Sequence, residues 1–264
     1  MTASPALTPL VRVEHVWGTA ISLHVCDAIS AETADGVFAW FHHVDDVFST
    51  WRTETEISRL GRGELRLEDT SEEMRAVLAL CERVRLESNG AFEVSVGADP
   101  RVASREGLAP IDASGLVKGW ALQSAAESLR AHGVHNFVIN AGGDVVTSGF
   151  TATGALWRVG VQHPSQPDRV ALVLAVSGMG VATSGRYERG DHIIDPRTGA
   201  PATGLSSVTV VDDDLALADG YATAALVLGA DGAAWLAERG LAAAVITNDE
   251  LVVTTPALDA YRVS

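Results

Sequence analysis

Short apolar runs closed by tight glycine or asparagine turns recur along this chain, and they alternate with stretches whose apolar residues return every three or four positions. Val11 and Val13, then Ile21, Leu23 and Val25, read as one or two strands. Phe92 to Val96 is expected as a strand. Phe137 to Ile139 and Val145-Val146 are short strands on either side of Gly142-Gly143. Trp157 to Gln162, Val170 to Val176, a run beginning near Val181, and Val208 to Val211 follow, and Ala243 to Thr247 with Leu251 to Thr254 form a terminal hairpin around Asn248-Asp249. Helical spacing marks Ala31 to Val47, Ser71 to Glu87, about Val117 to Ala131, Leu217 to Leu228 and Gly232 to Glu238. Strands joined by such short turns run antiparallel, because a parallel pair needs a crossover of a dozen or more residues. The expected class is therefore α+β, with largely antiparallel sheets and packed helices, in one domain over residues 1–264.

Composition limits what such a fold does. With 264 residues, 47% of them hydrophobic and 20% charged, the chain has a globular composition. The formal net charge of -15 argues against nonspecific nucleic-acid binding, since a phosphate backbone releases counterions only to a basic partner. No run approaches the ~20 apolar residues of a membrane span, so no membrane insertion is expected. An acidic protein that handles a phosphorylated ligand needs local positive charge, from a lysine or a bound cation. Cys26 and Cys81 have neither metal-ligand spacing nor the look of a disulfide framework and are expected to be buried thiols. Met1 to Pro5 shows no basic stretch followed by an apolar run, so the expectation is a cytoplasmic protein.

Four segments carry residues that could do chemistry. In Asp112 to Gly119, an Asp and a Ser precede a helix whose first turns hold Gly115, Lys118 and Gly119. Glycines let a ligand approach the backbone, and a helix start attracts phosphate. A capped surface helix with an exposed Lys would read the same way. Asn140-Ala141-Gly142-Gly143-Asp144 is either a plain hairpin turn or a loop kept small for a ligand or metal. Ala182 to Gly185 is followed by His192 to Gly199, where His192 stands at a strand start; it is either structural or a general base beside small hydroxyl residues. In Ala218 to Thr223, Asp219 and Thr223 are four apart and share one helical face. A carboxylate and a hydroxyl so placed suit a hard cation such as Mg²⁺, or serve as an N-cap Asp and a back-bonded Thr. Together the four segments point to a pyrophosphate–metal site.

These segments, in this order, resemble the ApbE-like family of FAD:protein FMN transferases, which has a T-fold-related domain. The resemblance spans nearly the whole chain: Trp17-Gly18-Thr19, Phe48 to Trp51, Ser58 to Leu60, Gly90 to Val94, Asp112 to Gly119, Asn140 to Asp144, Ala182 to Gly185, His192 to Gly199 and Ala218 to Thr223. It implies an enzyme that transfers FMN from FAD to a Thr or Ser of a target flavoprotein, needs Mg²⁺ and releases AMP. It further implies Mg²⁺ on the side chains of Asp219 and Thr223 and the backbone carbonyls of Gly115 and Ala222. FAD is expected on Trp17, Trp51, Ala91, Phe92, Glu93, Asp112, Lys118 and Ile193, with His192 as base for the incoming hydroxyl. The same site with water as acceptor would be an FAD pyrophosphatase; without turnover it would be a flavin-binding protein. The chain departs from the family pattern at Trp17, where Met is common, at Glu93, where Asp is common, at Gly61 in place of Asn, and in a short connection between Gly97 and Asp112.

Overall fold

A computed structural model describes residues 10–94, 111–185 and 193–263. The chain opens with a hairpin, β1 (Leu10–Val16) and β2 (Thr19–Val25). Its two-residue turn, Trp17-Gly18, has both φ angles positive, 57° and 72°, the twist that a tight hairpin requires. Helices α1 (Ala31–Phe48), α2 (Glu56–Gly61), α3 (Glu72–Glu87) and α4 (Ser114–Ala131) follow. Ser30, Thr55 and Ser71 cap the first three with side-chain oxygens. Then come β3 (Phe137–Ala141), β4 (Asp144–Ser148), β5 (Trp157–His163), β6 (Gln166–Val176), β7 (Gly180–Gly185), β8 (Ile194–Asp195), β9 (Ala200–Pro201) and β10 (Leu205–Asp212). Helix α5 (Leu215–Leu228), the short α6 (Gly232–Glu238) and the hairpin β11 (Ala242–Thr247) and β12 (Val252–Thr254) complete the order.

Eight strands form one sheet in the order β1-β2-β3-β4-β7-β10-β11-β12, each antiparallel to its neighbours. The strand period of two divides its faces. Leu23, Ile139, Val146, Ala182, Val210 and Val245 face the helices, where they bury Phe41, Leu122 and Leu226 in the main core. Val145, Val181, Val211 and Ala244 point the other way, against Trp157, Val161, Leu174 and Val176 of the β5–β6 hairpin. The molecule is thus layered as helices, sheet and hairpin. Helix α5 lies at its centre: every residue of it except Thr223 and Leu228 is buried. An all-round apolar helix of this kind is a buried one.

The architecture expected from the sequence is the one found, with local corrections. Phe92 to Val94 form no strand, and the rest of that expected strand, Ser95 and Val96, falls outside the described residues. The α5 N-cap is Asp214, whose carboxylate accepts from the Ala216 and Leu217 N–H groups, so Asp219 is not a capping residue. Helix α4 starts at Ser114 with Ala113 as a cap without a side-chain bond; Asp112 Oδ1 instead accepts from the Ser114 N–H at 2.9 Å. Cys81 is buried, as expected, but Cys26, just past the end of β2, is only half-buried. Among the described residues no helix is long and apolar enough to cross a membrane.

The β10–α5 junction carries a pH effect. Burial pushes the Asp212 carboxyl up to about 6, the neighbouring Asp213 and Asp214 carboxylates add to the rise, and the Asp214 N–H opposes it. A folded-state value above the ordinary 3.8 means that the fold favours the protonated acid. That stability is complete below about pH 4 and is lost as pH rises through about 6. The Asp212→Asn variant, which cannot ionise, is therefore expected to match the wild type near pH 4 and exceed it by about 1 kcal/mol at pH 8, part of the effect being screened by water. Melting curves at the two pH values should show a gain of about 3 °C at the higher one only; an equal gain at both would remove the titration as its cause.

Candidate active site at the α4–α5 crossing

The close crossing of α4 and α5 positions the candidate site. Gly115 and Gly119, one turn apart, form a row on α4 that meets Leu215, Asp219 and Thr223, one turn apart on α5. A Cβ at Gly119 would overlap the Leu215 carbonyl oxygen and lie 2.9 Å from Asp219 Cβ; one at Gly115 would lie 3.2 Å from the Phe92 ring and 3.4 Å from Thr223 Oγ1. Glycine is what lets the two backbones approach.

Asp219 is 4% exposed on this otherwise apolar helix, and a buried carboxylate is costly unless it has partners. Its Oδ2 accepts from the Gly119 N–H at 3.1 Å. In a regular helix that amide serves the Gly115 carbonyl, so Asp219 and the Gly115 carbonyl address the same donor. Thr223 is half-buried, and its hydroxyl bonds Ser184 Oγ at 2.9 Å; the back-bonded Thr considered from the sequence is not what is seen.

Lys118 Nζ lies 2.8 Å from Asp144 Oδ2. Asp144 is fully buried at the start of β4, and its other oxygen accepts from the Thr183 N–H at 3.0 Å. Its Oδ2 receives no well-directed hydrogen bond, so the ammonium is its partner by charge and distance. Lys118 is thus held by a carboxylate and is not an exposed surface Lys; its side chain is 24% exposed.

Phe92 and Ala91 are buried, the first against Gly115, the second with Ala202 and Val227. Ile193 packs onto the main core and onto the small Ala91, Ala202 and Val227 cluster, and its carbonyl accepts from the Ala202 N–H at 2.8 Å. Asp112 N–H donates to Val94 O at 2.6 Å, which fastens Asp112 beside Glu93. Burial pushes the Cys81 thiol on α3 up to about 12, and Asp219, Asp112 and Glu93 add to the rise, so the field of all three carboxylates reaches that thiol. Trp17 stands edge-on to Phe41 at 5.6 Å. Ala222 is buried, next to Thr223. Trp51 is 73% exposed, and none of these contacts reaches it. His192 lies outside the described residues. Among the described residues no three His, Cys, Asp or Glu side chains gather to hold a metal.

The sequence reading named neither Asp144 nor Ser184 as a site residue, although both fall in segments it singled out. The signal was in the strand period: Asp144 shares a sheet face with Val146, and Ser184 with Ala182, so both point toward the helices.

The ApbE family profile matches residues 17–106 and 99–246. An FAD:protein FMN transferase of Klebsiella pneumoniae is 27% identical, over 94% of this chain and 87% of that protein. One from Vibrio cholerae is 28% identical, over 83% of this chain and 78% of its own. The solved flavin transferase ApbE from Vibrio cholerae has the same fold, with a TM-score of 0.82 at 23% identity, over 96% of this chain and 99% of that one. A profile match over most of the chain, with the fold to go with it, identifies the chain as a member of the ApbE family.

Proposed function

We propose that this protein is an enzyme that transfers the FMN half of FAD to a Thr or Ser hydroxyl of a target flavoprotein and releases AMP, with Mg²⁺ bound at the α4–α5 crossing. Support comes from relatives named FAD:protein FMN transferase that align with most of the chain. The observation that carries the assignment is the glycine row of α4 set against Asp219 and Thr223, a cradle that a Cβ at Gly115 would narrow.

The proposed donors are the Asp219 carboxylate, the Thr223 hydroxyl, and the backbone carbonyls of Gly115 and Ala222, all hard oxygens. Mg²⁺ is commonly held by one or two carboxylates plus substrate phosphates, so this set fits it. When bound, it neutralises pyrophosphate charge and favours departure of AMP. Lys118, fixed by Asp144, adds the positive charge that an acidic protein needs beside phosphate. Phe92, Ala91 and Ile193 supply an apolar wall, while Asp112 and Glu93 supply acceptors for the ligand's N–H and O–H groups. Trp17 and Trp51 offer aromatic faces to a flat ring.

His192 takes the proton of the acceptor hydroxyl, a step that typically contributes about 10²–10⁴-fold. The hydroxyl oxygen bonds to the FMN phosphorus, the phosphoanhydride bond breaks, and AMP leaves with the bridging oxygen. Positioning and charge neutralisation dominate such transfers.

The test is incubation with FAD, Mg²⁺ and a peptide carrying the acceptor motif, following AMP and peptide-bound flavin fluorescence. AMP and labelled peptide are expected in equal amounts, and EDTA should stop both. AMP with free FMN alone would make the protein a pyrophosphatase; retained FAD without AMP would make it a binding protein.

A further inference from the structure

One hydroxyl beside the proposed cation site has no role in the transfer as described. Ser184, 8% exposed near the end of β7, faces the helices and meets Thr223 at 2.9 Å between hydroxyl oxygens. Among the described residues neither hydroxyl has a second hydrogen-bond partner. A hydroxyl carries one proton and two acceptor lone pairs. A threonine oxygen that gives a lone pair to a cation must therefore send its proton elsewhere, and Ser184 Oγ is the acceptor in reach.

We infer that Ser184 is a positioning residue that accepts the Thr223 proton and so turns a Thr223 lone pair toward the cation. This role rests on the Mg²⁺ site proposed above. Without Ser184, the Thr223 proton would turn to the Asp219 carbonyl four residues back, the usual alternative for a helical Thr, and the lone pairs would turn with it. Partners that orient a metal ligand typically cost about 10–100-fold in affinity when removed; for a neutral hydroxyl pair the lower end applies.

The test is Mn²⁺ titration of the full chain by electron paramagnetic resonance, with ADP present as a pyrophosphate that carries no FMN. Binding is expected in the wild type and lost in Asp219→Asn. Ser184→Ala should weaken it by about 10-fold, and Ser184→Thr, which keeps the hydroxyl, should restore it. Thr223→Val should weaken it at least as much, and adding Ser184→Ala to Thr223→Val should cost nothing more. A purely structural serine would give losses that add, and that result would overturn the inference. Unchanged affinity in Ser184→Ala, with binding still dependent on Asp219, would overturn it while leaving the cation site standing. Wild-type binding indifferent to Asp219 would remove the site and the inference together.

Discussion

Asp219→Ala is expected to lower the proposed Mg²⁺-dependent FMN transfer by about 10³-fold, the scale of losing a preorganised electrostatic contact to the reacting group. Asp219 is the one ionised donor in the proposed set, and the hydroxyl and carbonyls beside it hold a hard cation weakly without a carboxylate. The fold should survive, because the Gly119 N–H that now donates to Asp219 still has the Gly115 carbonyl as its helical acceptor. Asp219→Asn separates charge from shape: it keeps an acceptor for Gly119, so its circular dichroism and melting temperature should stay near the wild type while transfer falls nearly as far. The measurement is AMP release together with flavin on the acceptor peptide, at saturating FAD. Near-normal rates in both variants, with the fold intact, would take the cation off this helix.

The legibility of this site in the sequence followed the physics of each residue. Asp219 and Thr223 were readable because a helix repeats every 3.6 residues, so a spacing of four sets two side chains on one face whatever they pack against. The antiparallel sheet was readable from short turns such as Gly142-Gly143, which joins β3 to β4; the hairpin turn at Trp17-Gly18 was not, since Val11 to Val25 reads equally as one strand or two. Asp144 and Ser184 were not, because their roles depend on partners far along the chain. Lys118 is 26 residues from Asp144, and Ser184 is 39 from Thr223; only the order of strands in the sheet brings them under α4 and α5. The placement of Phe92 in a strand failed for a related reason. Phe92, Val94 and Val96 alternate with polar residues as a strand would, yet the Phe92 ring packs into the space left by Gly115, a contact across the fold that the local pattern does not carry. The glycines of α4 looked like openings for a ligand, yet Gly119 is needed first for helix packing.

That packing role gives the second large effect. Gly119→Ala would place a methyl group on the Leu215 carbonyl oxygen, a backbone atom that has no rotamer by which to move aside. The helices must separate instead, and overpacking of a tight core contact costs about 3 kcal/mol. Alanine's better helix propensity returns about 1 kcal/mol, so the net loss is about 2 kcal/mol, or about 4–8 °C in melting temperature. Gly36 in α1 is the control, since a Cβ there meets nothing within 4 Å and Gly36→Ala keeps the propensity gain alone. The same substitution is thus expected to stabilise one helix and destabilise another. Separation of α4 from α5 would also draw Gly115 away from Thr223, so FMN transfer should fall in Gly119→Ala and hold steady in Gly36→Ala. A Gly119→Ala protein as stable and active as the wild type would mean that α4 and α5 do not approach through this glycine, and the cradle between Gly115 and Thr223 would lose its structural basis.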